Sequence, residues 1–85
     1  PNYAFERSTK TPGGVLDVRM DVRNGVIADI RLFGDYFGVR DVVELEDTLC
    51  GCRHEREALK RRLALIHIDA YIQGVGERIF LDCLF

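Results

Sequence analysis

Four side chains in this sequence could ligate a metal or carry reactive sulfur: Cys50, Cys52 and His54 lie within five residues of one another, and Cys83 lies near the end. Thiolates and imidazoles can hold zinc or an iron–sulfur cluster. The familiar knuckle motif needs two residues between its cysteines so that both sulfurs point at one metal, whereas only Gly51 stands here. We therefore predict no bound metal and interpret the cysteines as small apolar residues around the end of a helix.

The cysteine count also bears on the compartment. Three is an odd number, which fits reduced thiols in the cytoplasm better than a disulfide framework. His67 lies between Leu65-Ile66 and Ile68 without a nearby nucleophile, so we expect a structural or partly exposed histidine rather than a general base.

Gly34-Asp35-Tyr36-Phe37-Gly38 is the least ordinary segment, because two aromatic residues stand between two glycines just past a predicted strand. Glycine allows close approach of the backbone, and Asp35 can bind local amides. Tyr36 and Phe37 can fill the core at this corner or contact another domain. Both interpretations remain open from the residues alone.

The elements that must position these residues follow from periodicity. Residues 2–9 give a weak strand signal, and Thr11-Pro12-Gly13-Gly14 interrupts it. Leu16–Arg23 alternates apolar and charged residues without exception, which predicts a strand with one buried face. Asn24-Gly25 suits a type I′ turn, and Val26–Phe33 returns with Ala28, Ile30 and Leu32 predicted to face inward. The charged residues between them, Asp17, Arg19, Asp21, Arg23, Asp29 and Arg31, are predicted to form cross-strand pairs on a solvated face.

Helical spacing takes over after Gly34. Asp41-x-x-Glu44 has the spacing of a capping box, and Gly51 stands where a left-handed residue ends a helix. A second helix is predicted over about Glu55 to Leu65, with a solvated basic face. Asp69 is predicted to cap a short turn over 70–73. A last helix is predicted over 77–85, with Ile79, Phe80, Cys83 and Leu84 at the spacing of one face. Strands followed by helices indicate an α+β two-layer domain.

Size and charge exclude several classes of protein. A chain of 85 residues and 9.7 kDa allows a single domain, 1–85. Its net charge of −2 supplies no overall field for nucleic acid. No apolar run approaches the roughly 20 residues that a membrane span needs, and no signal peptide is evident.

An ordered set of short motifs, each weakly specific alone, resembles the C-terminal accessory domain of lipoate–protein ligases over essentially the whole chain. The matching residues are Pro1-Asn2-Tyr3, Leu16-Asp17-Val18-Arg19-Met20-Asp21-Val22, Asn24-Gly25-Val26-Ile27, Gly34-Asp35-Tyr36-Phe37, Leu45-Glu46-x-x-Leu49-x-Gly51 and Tyr71-Ile72-x-Gly74-Val75. The resemblance implies a three-stranded antiparallel sheet followed by three to four helices packed on one face. That two-layer arrangement is similar to sulfur-transfer and iron–sulfur scaffold folds.

The resemblance also implies a function. In that family a large domain binds ATP, Mg²⁺ and lipoate, makes lipoyl-AMP and transfers lipoyl to a lysine of acceptor proteins, while the small domain assists adenylation and changes position. The large domain's motifs are not matched here, because Gly13-Gly14 lacks the preceding arginines, and Lys10 and Lys60 lie outside any matching motif. We therefore expect a chain that is inactive alone and holds no cofactor of its own.

The expected partner is the large catalytic domain, either in the same chain or as a separate subunit. The similarity of Pro1-Asn2 to an interdomain connection favours the same chain. Gly34, Asp35, Tyr36 and Phe37 are the expected contact. Two alternatives stay open: a free-standing sulfur or iron–sulfur carrier, and an interaction module unrelated to cofactor chemistry. A carrier needs an exposed, reactive thiol.

Overall fold

The computed structural model describes residues 3–35 and 38–85, in which strands precede helices. The strands are β1 (Phe5–Thr11), β2 (Gly14–Arg23) and β3 (Val26–Gly34), and they form one antiparallel sheet in the order β1-β2-β3. The helices are α1 (Val42–Leu49), α2 (Arg56–Arg62), a 3₁₀ helix (Ile68–Ala70) and α3 (Glu77–Cys83). The predicted α+β arrangement is confirmed. Among the described residues, no helix is long and apolar enough to cross a bilayer.

The central strand confirms the strongest sequence pattern. Leu16, Val18 and Met20 of β2 are all fully buried under the helices, since every second side chain of a strand faces the same side. The turn to β3 is formed by Asn24 and Gly25 at φ +54° and +76°, as a type I′ turn requires.

The predicted inward set of β3 is wrong at one position. A bulge shifts the register so that Asp21 pairs with Asp29 while Val22 pairs with Ile27, leaving Ala28 as the extra residue. The bulge inverts the alternation toward the turn. Ile27 is therefore fully buried and Ala28 is exposed, while Ile30 and Leu32 face inward as predicted.

The charges on the open face of the sheet pair mostly along their own strands. The register places Arg19 opposite Arg31 and Asp21 opposite Asp29, so like charges face each other across β2 and β3. The cations bind carboxylates two residues away instead: Arg19–Asp17 at 3.3 Å, Arg23–Asp21 at 2.9 Å and Arg31–Asp29 at 3.1 Å. The predicted cross-strand pairs are therefore wrong; the ion pair that crosses strands among the described residues joins Arg19 to Glu6 of β1, which was not predicted, at 3.6 Å.

Helix α1 starts and stops near the predicted residues. The Asp41 side chain accepts a hydrogen bond from the Val43 amide at 3.0 Å. The second half of the capping box does not form, because the Glu44 carboxylate binds Arg40 and Tyr71 instead. Gly51 follows the C-cap with φ +86°, the left-handed conformation in which glycine commonly ends a helix.

The remaining helices are shorter than predicted, and two assignments need correction. Asp69 lies inside the 3₁₀ helix rather than capping a turn, and His67 stands at the N-cap without a side-chain hydrogen bond. In α3, Phe80, Cys83 and Leu84 are buried as predicted, but Ile79 is 36% exposed and Leu81 is buried in its place. The helix is rotated so that positions 80, 81 and 84 are buried, which is also a helical spacing.

Candidate functional site

The corner after β3 is attached to the sheet by close backbone contact. Gly34 has φ +149°, and a Cβ atom placed on it would overlap the Val15 carbonyl. The amide of Asp35 donates to that same carbonyl at 3.1 Å. Position 34 therefore needs glycine for both its backbone conformation and its proximity to β2.

The turn between β1 and β2 packs against the corner from the other side. Gly14 has φ +121°, and a Cβ atom there would overlap the Asp35 carbonyl. The sequence interpretation of Gly13-Gly14 as a chain break missed this role. The turn therefore allows Asp35 to approach closely, and Asp35 itself is exposed to solvent.

The chain that leaves the corner is held by the 3₁₀ helix. The amides of Val39 and Arg40 both donate to the Ala70 carbonyl, at 2.8 Å and 3.0 Å. A Cβ atom on Gly38 would overlap the Tyr71 carbonyl. The corner is thus fixed at both ends, while Tyr36 and Phe37, the two predicted contact aromatics, lie outside the described residues.

Beside the corner lies a surface that the sequence interpretation missed, here called the corner patch and formed by Val39, Arg40, Leu65, Ile66 and Tyr71. Val39 and Leu65 are 92% and 95% exposed, the highest values among the exposed large hydrophobic residues described. A cleft of about 190 Å³ lies among Arg40, Leu65, Ile66 and Tyr71. Leu65 therefore borders a concave, partly apolar surface, whereas Val39 precedes Arg40 in the chain and lines a separate cleft with Gly38, Asp69 and Gln73.

The charged group within the corner patch is already neutralised. The Arg40 guanidinium donates to the Glu44 carboxylate at 2.8 Å, and the Tyr71 hydroxyl donates to the same oxygen at 3.2 Å. The hydrogen bond to Glu44 raises the pKa of Arg40 above its usual value. Because this cation already has its carboxylate, a partner can cover the patch without leaving an unpaired charge.

The cysteines do not form a reactive centre. Cys52 and Cys83 are 3% and 1% exposed, and Cys50 is partly buried. Burial raises the pKa of the Cys50 and Cys83 thiols, whereas a reactive thiol needs a lowered pKa and an accessible position. The prediction that these residues pack around the core is confirmed. Within residues 3–35 and 38–85, no three His, Cys, Asp or Glu side chains are grouped to hold a metal ion.

The two histidines have separate environments. The His54 ring stacks on Phe85 with centroids 4.4 Å apart, and its Nε2 lies 2.7 Å from the Leu84 carbonyl oxygen. His54 thereby connects the end of α3 to the loop before α2. His67 is exposed to solvent at the N-cap of the 3₁₀ helix.

Comparison with curated proteins gives relatives of one kind. The chain is 34% identical to a lipoate–protein ligase of Streptococcus pyogenes serotype M5 over its whole length, which is 25% of that relative. It is 33% identical to the lipoate-protein ligase LplJ of Bacillus subtilis, covering 100% of this chain and 26% of that one. The chain thus spans about a quarter of the length of these relatives.

Comparison with solved structures supports the fold. A chain from the bi-partite lipoate protein ligase of Thermoplasma acidophilum matches with a TM-score of 0.74 and 24% identity, covering 95% of this chain and 93% of that one. P. falciparum LipL1, solved in complex with lipoate, matches with a TM-score of 0.64 and 18% identity, covering 96% and 23%. The family model described as bacterial lipoate protein ligase C-terminus matches residues 1–84. The chain therefore belongs to the bacterial lipoate protein ligase C-terminal family.

Proposed function

We propose that this chain is a non-catalytic accessory domain of a lipoate protein ligase that assists ATP-dependent activation of lipoate to lipoyl-AMP. The observation that carries this proposal is the family match over the whole chain, together with a length of about a quarter of the related ligases. The remaining three quarters of such a ligase would supply the catalytic domain. ATP, Mg²⁺ and lipoate would bind there.

The chemistry of the described residues suits binding better than catalysis. Burial raises the pKa of the Cys50 and Cys83 thiols, and most arginines of the sheet form ion pairs with neighbouring carboxylates at the surface. These arrangements stabilise a fold and present a surface. They do not supply the lowered thiol pKa or positioned base that a nucleophile or proton-transfer site needs.

The contact with the catalytic domain would lie at Gly34, Asp35, Tyr36 and Phe37, extended by the corner patch. Of the two aromatic residues, Tyr36 carries a hydroxyl that favours a polar partner. The exposed Val39 and Leu65 lie beyond the corner and would enlarge the contact with apolar area.

The domain would then change position so that the catalytic domain can transfer lipoyl to a lysine of an acceptor protein in the cytoplasm. Such movement requires an interface that can open, which fits a contact of moderate size between domains. The proposal applies both to a catalytic domain in the same chain and to one in a separate subunit.

A reconstitution experiment tests the proposal. The isolated chain should form no lipoyl-AMP from ATP and lipoate, and the catalytic domain alone should form it slowly. Adding this chain in trans, or restoring the full-length protein, should raise the rate at least tenfold. Lipoyl-AMP formation by this chain alone, or an equal rate with and without it, would contradict the proposal.

A further inference from the structure

A second surface combines a cleft with concentrated positive charge. The cleft, of about 490 Å³, lies between the end of α1 and helix α2 and is here called the basic cleft; its lining residues are Gly51, Cys52, Arg53, Ala58, Arg61 and Arg62. Half of these residues are arginines and none is a carboxylate. Residues 53–62 carry five cations against two carboxylates, although the whole chain has a net charge of −2. A cleft lined by one sign of charge concentrates the field that attracts the opposite sign.

The arginines of the basic cleft differ in how they are held. Arg62 donates to the Thr48 carbonyl at 2.9 Å, which fixes its guanidinium at the end of α1. Arg53 contacts Glu55 at 3.4 Å, a long pair with both side chains mostly exposed. The Arg61 side chain forms no hydrogen bond or ion pair with any residue described in this structure. Its donors are therefore available to a carboxylate from outside.

We propose that the basic cleft docks a carboxylate-bearing surface of the acceptor protein during lipoyl transfer, an inference that rests on the function proposed above. Charge complementarity points to an acidic partner. The lining includes no aromatic side chain on which a nucleotide base could stack, so a protein surface fits the cleft better than a nucleotide does.

The kind of contact distinguishes the acceptor from the catalytic domain. Exposed guanidinium groups give an attraction that is screened by salt, and such attraction speeds association more than it prolongs binding. An acceptor must leave after every turnover. The catalytic domain remains the partner through every turnover even though the contact opens, and the interfaces of permanent partners are more apolar, which matches the corner patch rather than the basic cleft.

The basic cleft and the corner lie at opposite ends of β3. Arg53 pairs with Val26 at the start of β3, and the His54 amide donates to the Gly25 carbonyl at 2.8 Å. The basic cleft thus adjoins the hairpin turn, whereas the corner follows Gly34 at the other end of the nine-residue strand. A strand of this length spans roughly 27 Å, so docking at the basic cleft leaves the corner accessible, although Leu65 of the corner patch follows Arg62 by only three residues.

Arg61→Glu in the full-length ligase tests the proposal against Arg78→Glu, which makes the same change of charge at an exposed position on α3. Three quantities are measured: lipoyl-AMP formation without acceptor, the KM for an unlipoylated E2 lipoyl domain of the host organism, and the Kd of that domain by calorimetry. Arg61→Glu should raise the KM and Kd for the acceptor about fivefold, as expected for reversing one charge at an interface. Lipoyl-AMP formation should be unchanged, and Arg78→Glu should change the acceptor constants less than twofold.

Salt provides a second readout. The wild-type kcat/KM for acceptor should fall steeply with added NaCl, and that of Arg61→Glu should fall less. Equal effects of Arg61→Glu and Arg78→Glu, or unchanged acceptor constants in both, would overturn the proposal. A raised KM for ATP in place of the acceptor effect would also overturn it, because the cleft would then bind phosphate. Failure of the wild-type ligase to form lipoyl-AMP would instead contradict the proposed function. The two failures can be distinguished, because the Kd for the acceptor measured by calorimetry does not depend on lipoyl-AMP formation.

Discussion

The Glu46 carboxylate accepts a hydrogen bond from the Leu32 amide at 2.7 Å, in a buried contact between residues 14 positions apart. Leu32 lies in β3, which is an edge strand of the sheet. Farther along the same edge, the Ile27 amide donates to the Cys52 carbonyl at 2.9 Å, and the Gly51 amide donates to the Ile27 carbonyl at 2.8 Å. Helix α1 and its C-terminal loop therefore cover an edge that could otherwise pair with another chain.

Replacing Glu46 should test that edge directly. Glu46→Ala leaves the buried Leu32 amide without its carboxylate partner, and we expect a loss of about 1–3 kcal/mol in the free energy of unfolding. Glu46→Gln keeps a carbonyl oxygen at the same reach and should lose less. Urea denaturation of both variants measures the difference. Equal stability of Glu46→Ala and the wild type would show that the bond makes no net contribution.

The bulge in β3 predicts opposite outcomes for two adjacent residues. Ile27→Ala should lower the free energy of unfolding by about 2–4 kcal/mol, because it leaves a cavity in the core. Ala28→Lys should change stability by no more than about 0.5 kcal/mol, since the side chain faces water. Urea midpoints of the two variants are the measurement. A larger loss of stability in Ala28→Lys than in Ile27→Ala would show that Ala28 faces the core and would exclude the bulge.

The corner should depend on Gly34. Gly34→Ala places a Cβ atom on the Val15 carbonyl at φ +149°, so we expect a loss of at least about 2 kcal/mol in the free energy of unfolding. The control is Gly76→Ala, where a Cβ atom meets nothing within 4 Å and φ is −88°. The control should stay within about 1 kcal/mol of the wild type. Equal melting temperatures for the two variants would contradict the close contact at the corner.

Stability should fall at alkaline pH through Cys83. Burial raises the pKa of this thiol, a shift opposed by the nearby Thr9 hydroxyl and by Arg7. In the unfolded chain the pKa of this thiol is about 8.5. The contribution of the buried thiol to the free energy of unfolding is therefore complete below that pH, and it is lost as the pH rises through the higher pKa of the folded state. The difference in urea midpoint between pH 7.5 and pH 10 should be smaller for Cys83→Ala than for the wild type. An identical difference would exclude Cys83 as a source of the pH dependence.

The sequence predicted features that depend on neighbouring residues and missed those that depend on distant ones. The Asn24-Gly25 turn and the end of α1 at Gly51 follow from backbone preferences that these residues carry in any fold. The bulge at Ala28 depends on the pairing of two strands, which alternation in one strand cannot show.

The candidate site was partly predictable for the same reason. The two glycines and two aromatic residues at 34–38 marked the corner as unusual, but Arg40 and Leu65 became part of one cleft only when the 3₁₀ helix brought the segments around them together. The role of Gly14 needed the Asp35 carbonyl in place. Contacts between residues far apart in the chain carry no local sequence signal.

Two measurements on Tyr36→Ala show whether the corner contacts the catalytic domain: the melting curve of this domain and lipoyl-AMP formation by the full-length ligase. An interface aromatic contributes about 1–3 kcal/mol, so we expect an unchanged melting temperature beside a roughly tenfold or larger loss of lipoyl-AMP formation. Unchanged lipoyl-AMP formation together with a clear drop in melting temperature would place Tyr36 in the core and contradict the corner as the contact with the catalytic domain.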